Sequence, residues 1–158
     1  MARKPGLSRK MQPSLSKFKT DSMNTYPVTQ TTDLLAIAEC KYAIGAKLKF
    51  TKFTSCLGLF CKVNGKDEVI GIHLVLVDGN HHEFTIADVP DIQKILTDNN
   101  AQLDTGWVVG CLDNWPGDIK NSFYQMFEDA EGERIMNSGA GWYSATVAGS
   151  NVVVNFEA

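Results

Sequence analysis

The feature that most constrains the fold is an Asn-Gly pair, Asn64-Gly65, which lies between two runs of β-forming residues. The runs are Cys56–Val63 and Val69–Val77. An Asn-Gly pair in such a position is the strongest short-range signal for a β-hairpin with a two-residue type I′ turn. The length of the loop sets the register of a hairpin, and the register decides which side chains face each other. The sequence therefore predicts a hairpin whose register can be counted outward from this turn.

The predicted register places a thiol opposite an imidazole. Counting outward from a two-residue loop pairs Gly58 with Gly71 and Cys56 with His73. Directly opposed Cβ atoms lie roughly 4.5–5.5 Å apart, so the two reactive groups are expected to touch. An imidazole can hold a thiol as the thiolate, lower its pKa and later protonate a leaving group. We therefore predict Cys56 and His73 as a catalytic pair, with Gly58 and Gly71 leaving room for a substrate crevice.

The same two residues also have a purely structural explanation. A buried cysteine is most often a small apolar core residue, and a histidine within a strand is commonly a core residue as well. The alternative prediction is a non-enzymatic protein-binding adaptor or immunity-type protein, in which Cys56 and His73 belong to the core and an acidic surface binds a basic partner. Thiol reactivity separates the two predictions, because a catalytic Cys56 would react faster than the other three cysteines.

Composition bounds the class of protein. The chain has 158 residues, of which 44% are hydrophobic, which suits a single domain with a sizeable core. Its net charge of −3 does not favour nucleic-acid binding, although twelve of the fifteen basic residues lie in residues 1–66 and twelve of the eighteen acidic residues lie in residues 78–133. No apolar run is long enough to span a membrane. The four cysteines show no metal-ligand spacing, so we expect free thiols, no metal and no cofactor.

The first 28 residues differ in kind from the remainder. Residues 1–20 carry six basic residues and no acidic residue, and they lack the apolar region of a secretory signal. We predict a disordered basic tail or an export signal over residues 1–28 and a single catalytic domain over residues 29–158.

The other elements alternate helices with strands. Apolar periodicity, caps and turn residues predict the following helices and strands. The helices lie near residues 33–42, from Asp88 onward and after Gly117, and the strands are Ile44–Phe50, His82–Ile86, Gly106–Leu112 and a second hairpin over Gly141–Val147 and Asn151–Phe156. This order predicts an α+β fold, a layered and mostly antiparallel sheet or sandwich with flanking helices and the Cys56–His73 hairpin at its centre.

Residues 55–74 resemble a known family. Ser55-Cys56, the hydrophobic run that follows, and Gly71-Ile72-His73-Leu74 are similar to the Cys–His core of the bacterial chemoreceptor glutamine deamidases. The wider superfamily includes the catalytic domains of the cytotoxic necrotizing factor toxins. This chain has Thr54 where the family has Gly, and Phe50 where some relatives have the Thr that orients the His.

The resemblance implies a cysteine-dependent deamidase that converts glutamine side chains of a target protein to glutamate through a thioester. Backbone N–H groups near Ser55 and Cys56 would hold the oxyanion, and His73 would protonate the departing ammonia. Thr51, Thr54 or a backbone carbonyl would orient His73. The implied partner is a protein that presents a Gln side chain. The implied location is the bacterial cytoplasm, or a host cell for a secreted effector or toxin whose basic tail is an export signal.

Overall fold

The computed structural model describes residues 26–158, which form two β-sheets and two α-helices. The strands are β1 (Thr29–Gln30), β2 (Lys41–Gly45), β3 (Lys47–Lys49), β4 (Leu57–Val63), β5 (Val69–Leu74), β6 (Ala101–Gly110), β7 (Ile135–Met136), β8 (Trp142–Ala148) and β9 (Asn151–Glu157), and the helices are α1 (Val89–Asp98) and α2 (Gly117–Met126). One sheet has the order β1-β2-β5-β4-β6-β7 and the other has the order β3-β8-β9. Of the strand pairs in the described residues, only the short edge pairs β1–β2 and β6–β7 are parallel. The predicted α+β class is confirmed.

The predicted hairpin occupies the middle of the larger sheet. Every residue of β4 and β5 is buried, because β2 and β6 flank the hairpin and other elements cover its faces. Leu48, Phe50 and Phe53 pack on the face that carries Gly58, Gly71 and His73. Near-continuous apolar sequence in β4 and β5 agrees with strands that are buried on both sides.

The register of this hairpin differs from the prediction by two residues. Gly58 pairs with His73 and Phe60 pairs with Gly71, so Cys56 lies diagonally to His73 and not directly opposite it. Side chains alternate between the two faces of a strand, so a shift of two residues leaves each side chain on its predicted face. Cys56 and His73 therefore still lie on the same face of the sheet.

The loop of the hairpin also differs from the prediction. The Val63 N–H donates to the Glu68 carbonyl at 2.8 Å, and the Lys66 N–H donates to the Val63 carbonyl at 3.2 Å. Of the loop residues, only Gly65 has a positive φ, at 77°. A type I′ turn needs a positive φ at both central residues, whereas a type II turn needs it only at the second. The loop is therefore longer than predicted, and its turn is of the type II pattern.

Residues 33–42 are not helical, contrary to the prediction. Ile37 forms a parallel bridge with Phe50, its N–H donates to the Lys49 carbonyl at 2.9 Å, and its carbonyl accepts the Thr51 N–H at 3.0 Å. These backbone groups are thus satisfied by a distant segment and not within a helical turn. Leu35, which lies within the predicted helix, is 58% exposed.

Two predicted strands also differ from the structure. The segment Ile44–Phe50 is divided between β2 and β3, which belong to different sheets. The predicted strand His82–Ile86 is reduced to a single bridge between Val77 and Glu83, followed by a 3₁₀ turn at Ile86–Asp88. The two later helices are confirmed: α1 buries Ile92 and Leu96, and α2 buries Ile119 and Phe123. The second hairpin is confirmed as β8 and β9.

Tyr26 belongs to the folded domain, although the prediction placed it in the tail. The residue is only 4% exposed, and its hydroxyl donates to the Val75 carbonyl and accepts the Val75 N–H, both at 2.8 Å. The domain therefore begins earlier than residue 29. The remainder of the predicted tail, residues 1–25, lies outside the described residues. Neither helix in residues 26–158 is long and apolar enough to cross a lipid bilayer.

Candidate functional site

Three reactive side chains meet at one end of the central hairpin. One ligand atom from each of Glu39, Cys56 and His73 lies within 4.8 Å of the other two. The Cys56 thiol donates a hydrogen bond to Glu39 Oε2 at 3.8 Å. Cys56 directly precedes β4, and His73 is the penultimate residue of β5. Glu39 belongs to residues 37–40, which we call the cover segment because they lie over this pair.

The backbone sets the orientation and the tautomer of His73. Its Nδ1 lies 2.8 Å from the Ile37 carbonyl oxygen. A carbonyl can only accept, so Nδ1 carries the proton and Nε2 presents a lone pair. Nε2 is buried and has no hydrogen-bond partner among the residues that the structure describes. His73 is therefore held as a neutral imidazole with an unused acceptor.

Thr51 contributes to this arrangement indirectly. Its N–H and its hydroxyl both donate to the Ile37 carbonyl, at 3.0 Å and 3.4 Å. Of the three alternatives for the group that orients His73, a backbone carbonyl is therefore the group in contact with the ring, and Thr51 holds that carbonyl in place. Thr54 is exposed.

The cover segment is attached to His73 at both of its ends. The Ile37 carbonyl binds the His73 ring, and the Cys40 N–H donates to the His73 carbonyl at 2.8 Å. Cys40 has a φ of 63°, in the left-handed region that a non-glycine residue rarely adopts. This local reversal brings Glu39 over the Cys56 thiol. Cys56 is 1% exposed and His73 is 0% exposed, so the cover segment closes the pair off from solvent.

The space beside the two glycines is filled. A Cβ on Gly58 would lie 2.5 Å from Phe50 Cε2 and 3.0 Å from Phe53 Cζ. A Cβ on Gly71 would lie 3.0 Å from both Leu48 Cδ1 and Phe60 Cε1. The His73 ring also packs against the two phenylalanines, with ring centroids 5.2 Å from Phe50 and 4.6 Å from Phe53. The glycines thus accommodate aromatic packing in this conformation, and an open substrate crevice is not present at them.

Burial keeps both members of the pair neutral. Loss of solvent and the nearby charge of Glu39 raise the pKa of Cys56 to about 12, against a smaller opposing effect of backbone groups of Ser55 and Thr54. Loss of solvent lowers the pKa of His73 to about 4, which the hydrogen bond to Ile37 opposes. The lowered thiol pKa expected from the imidazole is therefore not found. At neutral pH the closed site contains a thiol and an imidazole, not an ion pair.

Ser55 and Cys56 connect the site to the segment that follows β6. The Ser55 carbonyl accepts the indole N–H of Trp115 at 2.9 Å, and the Cys56 carbonyl accepts the Cys111 N–H at 2.9 Å. These bonds attach the residues around the thiol to the segment that follows β6. Burial also raises the pKa of Cys61 and of Cys111, so these two thiols are neutral at neutral pH, as the Cys56 thiol is.

Glu39 is the member of the site that sequence reasoning missed. It is separated from Cys56 by 17 residues and lies in the segment that was predicted as a helix. A single glutamate at this spacing carries no pattern that links it to a Cys–His pair. Only the return of the chain across β5 brings it to the thiol.

Comparison with known proteins gives no further information about the function of these residues. No family model matches the chain, and no curated protein shows significant sequence similarity to it. The resemblance of residues 55–74 to glutamine deamidases therefore stays a prediction.

Proposed function

We propose that this protein is a cysteine-dependent deamidase that converts glutamine side chains of a target protein to glutamate. Cys56 would be the nucleophile, and His73 would be the general base and acid. The observation that supports this most is the buried Nε2 lone pair of His73, which has no hydrogen-bond partner within residues 26–158 and lies on a ring that clusters with the Cys56 thiol. A base with a free lone pair beside a thiol is the arrangement that thiol activation requires.

The proposed reaction proceeds in two steps. His73 Nε2 takes the thiol proton as the sulfur attacks the carboxamide carbon of the glutamine, and a tetrahedral oxyanion forms. Backbone N–H groups near Ser55 and Cys56 would stabilise that oxyanion. His73 then returns the proton to the nitrogen, the C–N bond breaks, and ammonia leaves a thioester. Water activated by His73 hydrolyses the thioester, which yields glutamate and restores the thiol.

This reaction requires the cover segment to move. Cys56 is almost fully buried beneath Glu39, so no side chain of another protein can reach it in the closed conformation. Displacement of Glu39, with the Ile37 carbonyl still bound to the His73 ring, would expose the thiol and remove the carboxylate that raises its pKa. Loop displacements of this kind commonly gate enzyme sites. The closed conformation is then the resting state of the enzyme.

The second candidate is a protein-binding module without catalytic activity. It is favoured by the full burial of His73, the raised pKa of the Cys56 thiol and the aromatic packing around the ring. In this case Cys56 and His73 stabilise the hairpin, and the acid-rich residues 78–133 would contact a basic partner.

The first test measures activity with matched cysteine variants. Wild-type protein is incubated with a glutamine-rich unfolded protein. Ammonia release is measured, together with the increase in substrate mass that results when OH replaces NH₂. We expect Cys56→Ser to abolish activity and His73→Gln to lower it roughly 10²–10⁴-fold, without additivity in the double variant, because both residues serve one step. Cys111→Ser is the control and should stay active. Full activity of Cys56→Ser would exclude the proposed mechanism.

Thiol labelling tests the second candidate without any substrate. Iodoacetamide is applied at neutral pH, and the modified cysteines are identified by mass spectrometry. If the cover segment opens, Cys56 is labelled faster than the equally buried Cys61, and Glu39→Gln accelerates it further by removing the nearby charge. Equal protection of Cys40, Cys56, Cys61 and Cys111 would instead favour the binding module.

A further inference from the structure

One acceptor in the core stands out from the other buried polar atoms. Among the residues that the structure describes, His73 Nε2 is the only buried side-chain nitrogen or oxygen without a hydrogen-bond partner. Native proteins rarely leave a buried polar atom unpaired, and such an atom calls for an explanation, for example an ion. The lone pair of this atom is free to bind a ligand, since Nδ1 is engaged by the Ile37 carbonyl.

The other ring nitrogen has the environment of a metal-binding histidine. Histidines that ligate a metal almost always donate their second ring N–H to a carboxylate, a backbone carbonyl or water. Here Nδ1 donates to the Ile37 carbonyl at 2.8 Å, and Thr51 holds that carbonyl from its other side. The ring is therefore fixed in the tautomer that presents Nε2 to a metal.

The neighbouring groups complete a set of ligands. Cys56 supplies a sulfur and Glu39 supplies a carboxylate oxygen within the same 4.8 Å cluster. We infer that Glu39, Cys56 and His73 form a site for Zn²⁺, bound through one thiolate, one imidazole and one carboxylate. A thiolate and an imidazole select Zn²⁺ over Mg²⁺ and Ca²⁺, which take oxygen ligands. The two negative ligands neutralise the ion in a buried site.

The distances are close to those that Zn²⁺ needs. Bond lengths of about 2.0–2.3 Å at tetrahedral angles place ligand atoms roughly 3.3–3.7 Å apart. Cys56 Sγ and Glu39 Oε2 are already 3.8 Å apart, and the two separations that involve His73 are within 4.8 Å. A closure of about 1 Å is sufficient, and Glu39 is exposed and free to adjust. Three protein ligands leave a fourth position for water.

This inference goes beyond the proposed deamidase and does not rest on it. Zn²⁺ would bind the sulfur and the nitrogen that the proposed reaction uses, so metal binding and thiol catalysis exclude each other. Metal binding is measured without substrate, whereas deamidation is measured in the presence of a chelator. Failure of one is therefore distinguishable from failure of the other.

The test is a metal titration of the full-length protein after treatment with a chelator. Co²⁺ is added first, because a thiolate ligand gives a charge-transfer absorption, and Zn²⁺ is then added in competition. We expect one metal ion per chain and loss of the absorption in Cys56→Ser. We expect at least a tenfold weaker affinity in Glu39→Gln. Cys111→Ser and Glu83→Gln, which change a second buried thiol and a second exposed carboxylate, should bind as wild type does.

Two results would overturn the inference. One is the absence of a thiolate-to-cobalt absorption in the wild-type protein. The other is a Zn²⁺ affinity that is unchanged in Glu39→Gln relative to Glu83→Gln. The second comparison uses only exposed positions, so it decides the question even if Cys56→Ser does not fold.

Discussion

Gly58 has no side chain, and aromatic rings fill the space that a Cβ at this position would occupy. The edge of Phe50 and the tip of Phe53 occupy the position beside its Cα, and both rings also contact His73. Phe50 and Phe53 stack at 5.3 Å between centroids. The absence of a side chain at Gly58 therefore allows the two phenylalanines to pack against the strand and to enclose the imidazole of His73.

We expect Gly58→Ala to destabilise the protein by about 1–3 kcal/mol, because a methyl group inserted into a well-packed core forces its neighbours to move. The free energy of unfolding is measured by urea denaturation. Gly79→Ala is the matched control, since a Cβ at Gly79 meets no atom within 4 Å, and its effect should stay within about 0.5 kcal/mol. A neutral Gly58→Ala would indicate open space beside the strand, as the crevice prediction required.

At the scale of elements, the turn of the central hairpin and its register are set by different forces. The turn depends on Gly65 alone, whose φ of 77° suits a residue without a Cβ. The register is shared with the flanking strands, because β5 also pairs with β2 and β4 also pairs with β6. Pairing on both sides holds the hairpin in a register that its own loop does not dictate.

We predict unequal effects of alanine at the two turn residues. Gly65→Ala should cost about 1–2 kcal/mol of stability, because an L-residue resists the left-handed conformation. Asn64→Ala should be nearly neutral, since Asn64 is exposed and has no positive φ. Thermal and urea denaturation of both variants measure the difference. Similar losses of stability in the two variants would indicate a type I′ turn and the register that the sequence predicted.

For the whole molecule, stability should depend on pH through the buried site. The pKa of His73 falls from 6.5 to about 4 on folding, so the unfolded chain binds a proton that the folded protein does not. This contribution to stability is fully present above pH 6.5 and is lost as the pH falls from 6.5 towards 4. For Cys56 the folded pKa is raised from 9.0 to about 12, so its contribution is lost as the pH rises through that range.

We expect acidification from pH 6.5 to pH 5 to remove up to about 2 kcal/mol of stability through His73 alone. Carboxylates also contribute in this range, so the direct measurement is the NMR titration of the His73 ring. The ring should stay neutral at pH 5 in the folded protein. A His73 titration near pH 6.5 would mean that the ring is solvated and that the closed site is open in solution.

The sequence alone determined the local elements of this protein. The Asn-Gly pair located the β4–β5 hairpin, turn residues before Asn151 located the β8–β9 hairpin, and caps with apolar periodicity located α1 and α2. Each of these signals lies within a short window, because turn geometry and helix periodicity depend on residues that are near in sequence. The α+β class followed from their order, and the shared face of Cys56 and His73 followed from the alternation of side chains along a strand.

Tertiary structure decided the register of the central hairpin, the position of Glu39 beside Cys56, and the burial of the site beneath residues 37–40. A shift of two residues keeps every side chain on the same face, so the apolar pattern of the hairpin is equally compatible with both registers. Pairing with β2 and β6 chose between them. Residues 37–40 do not form the predicted helix, because their backbone groups form hydrogen bonds with Lys49, Thr51 and His73. Glu39 reached Cys56 through these long-range contacts, which no local pattern in the sequence encodes.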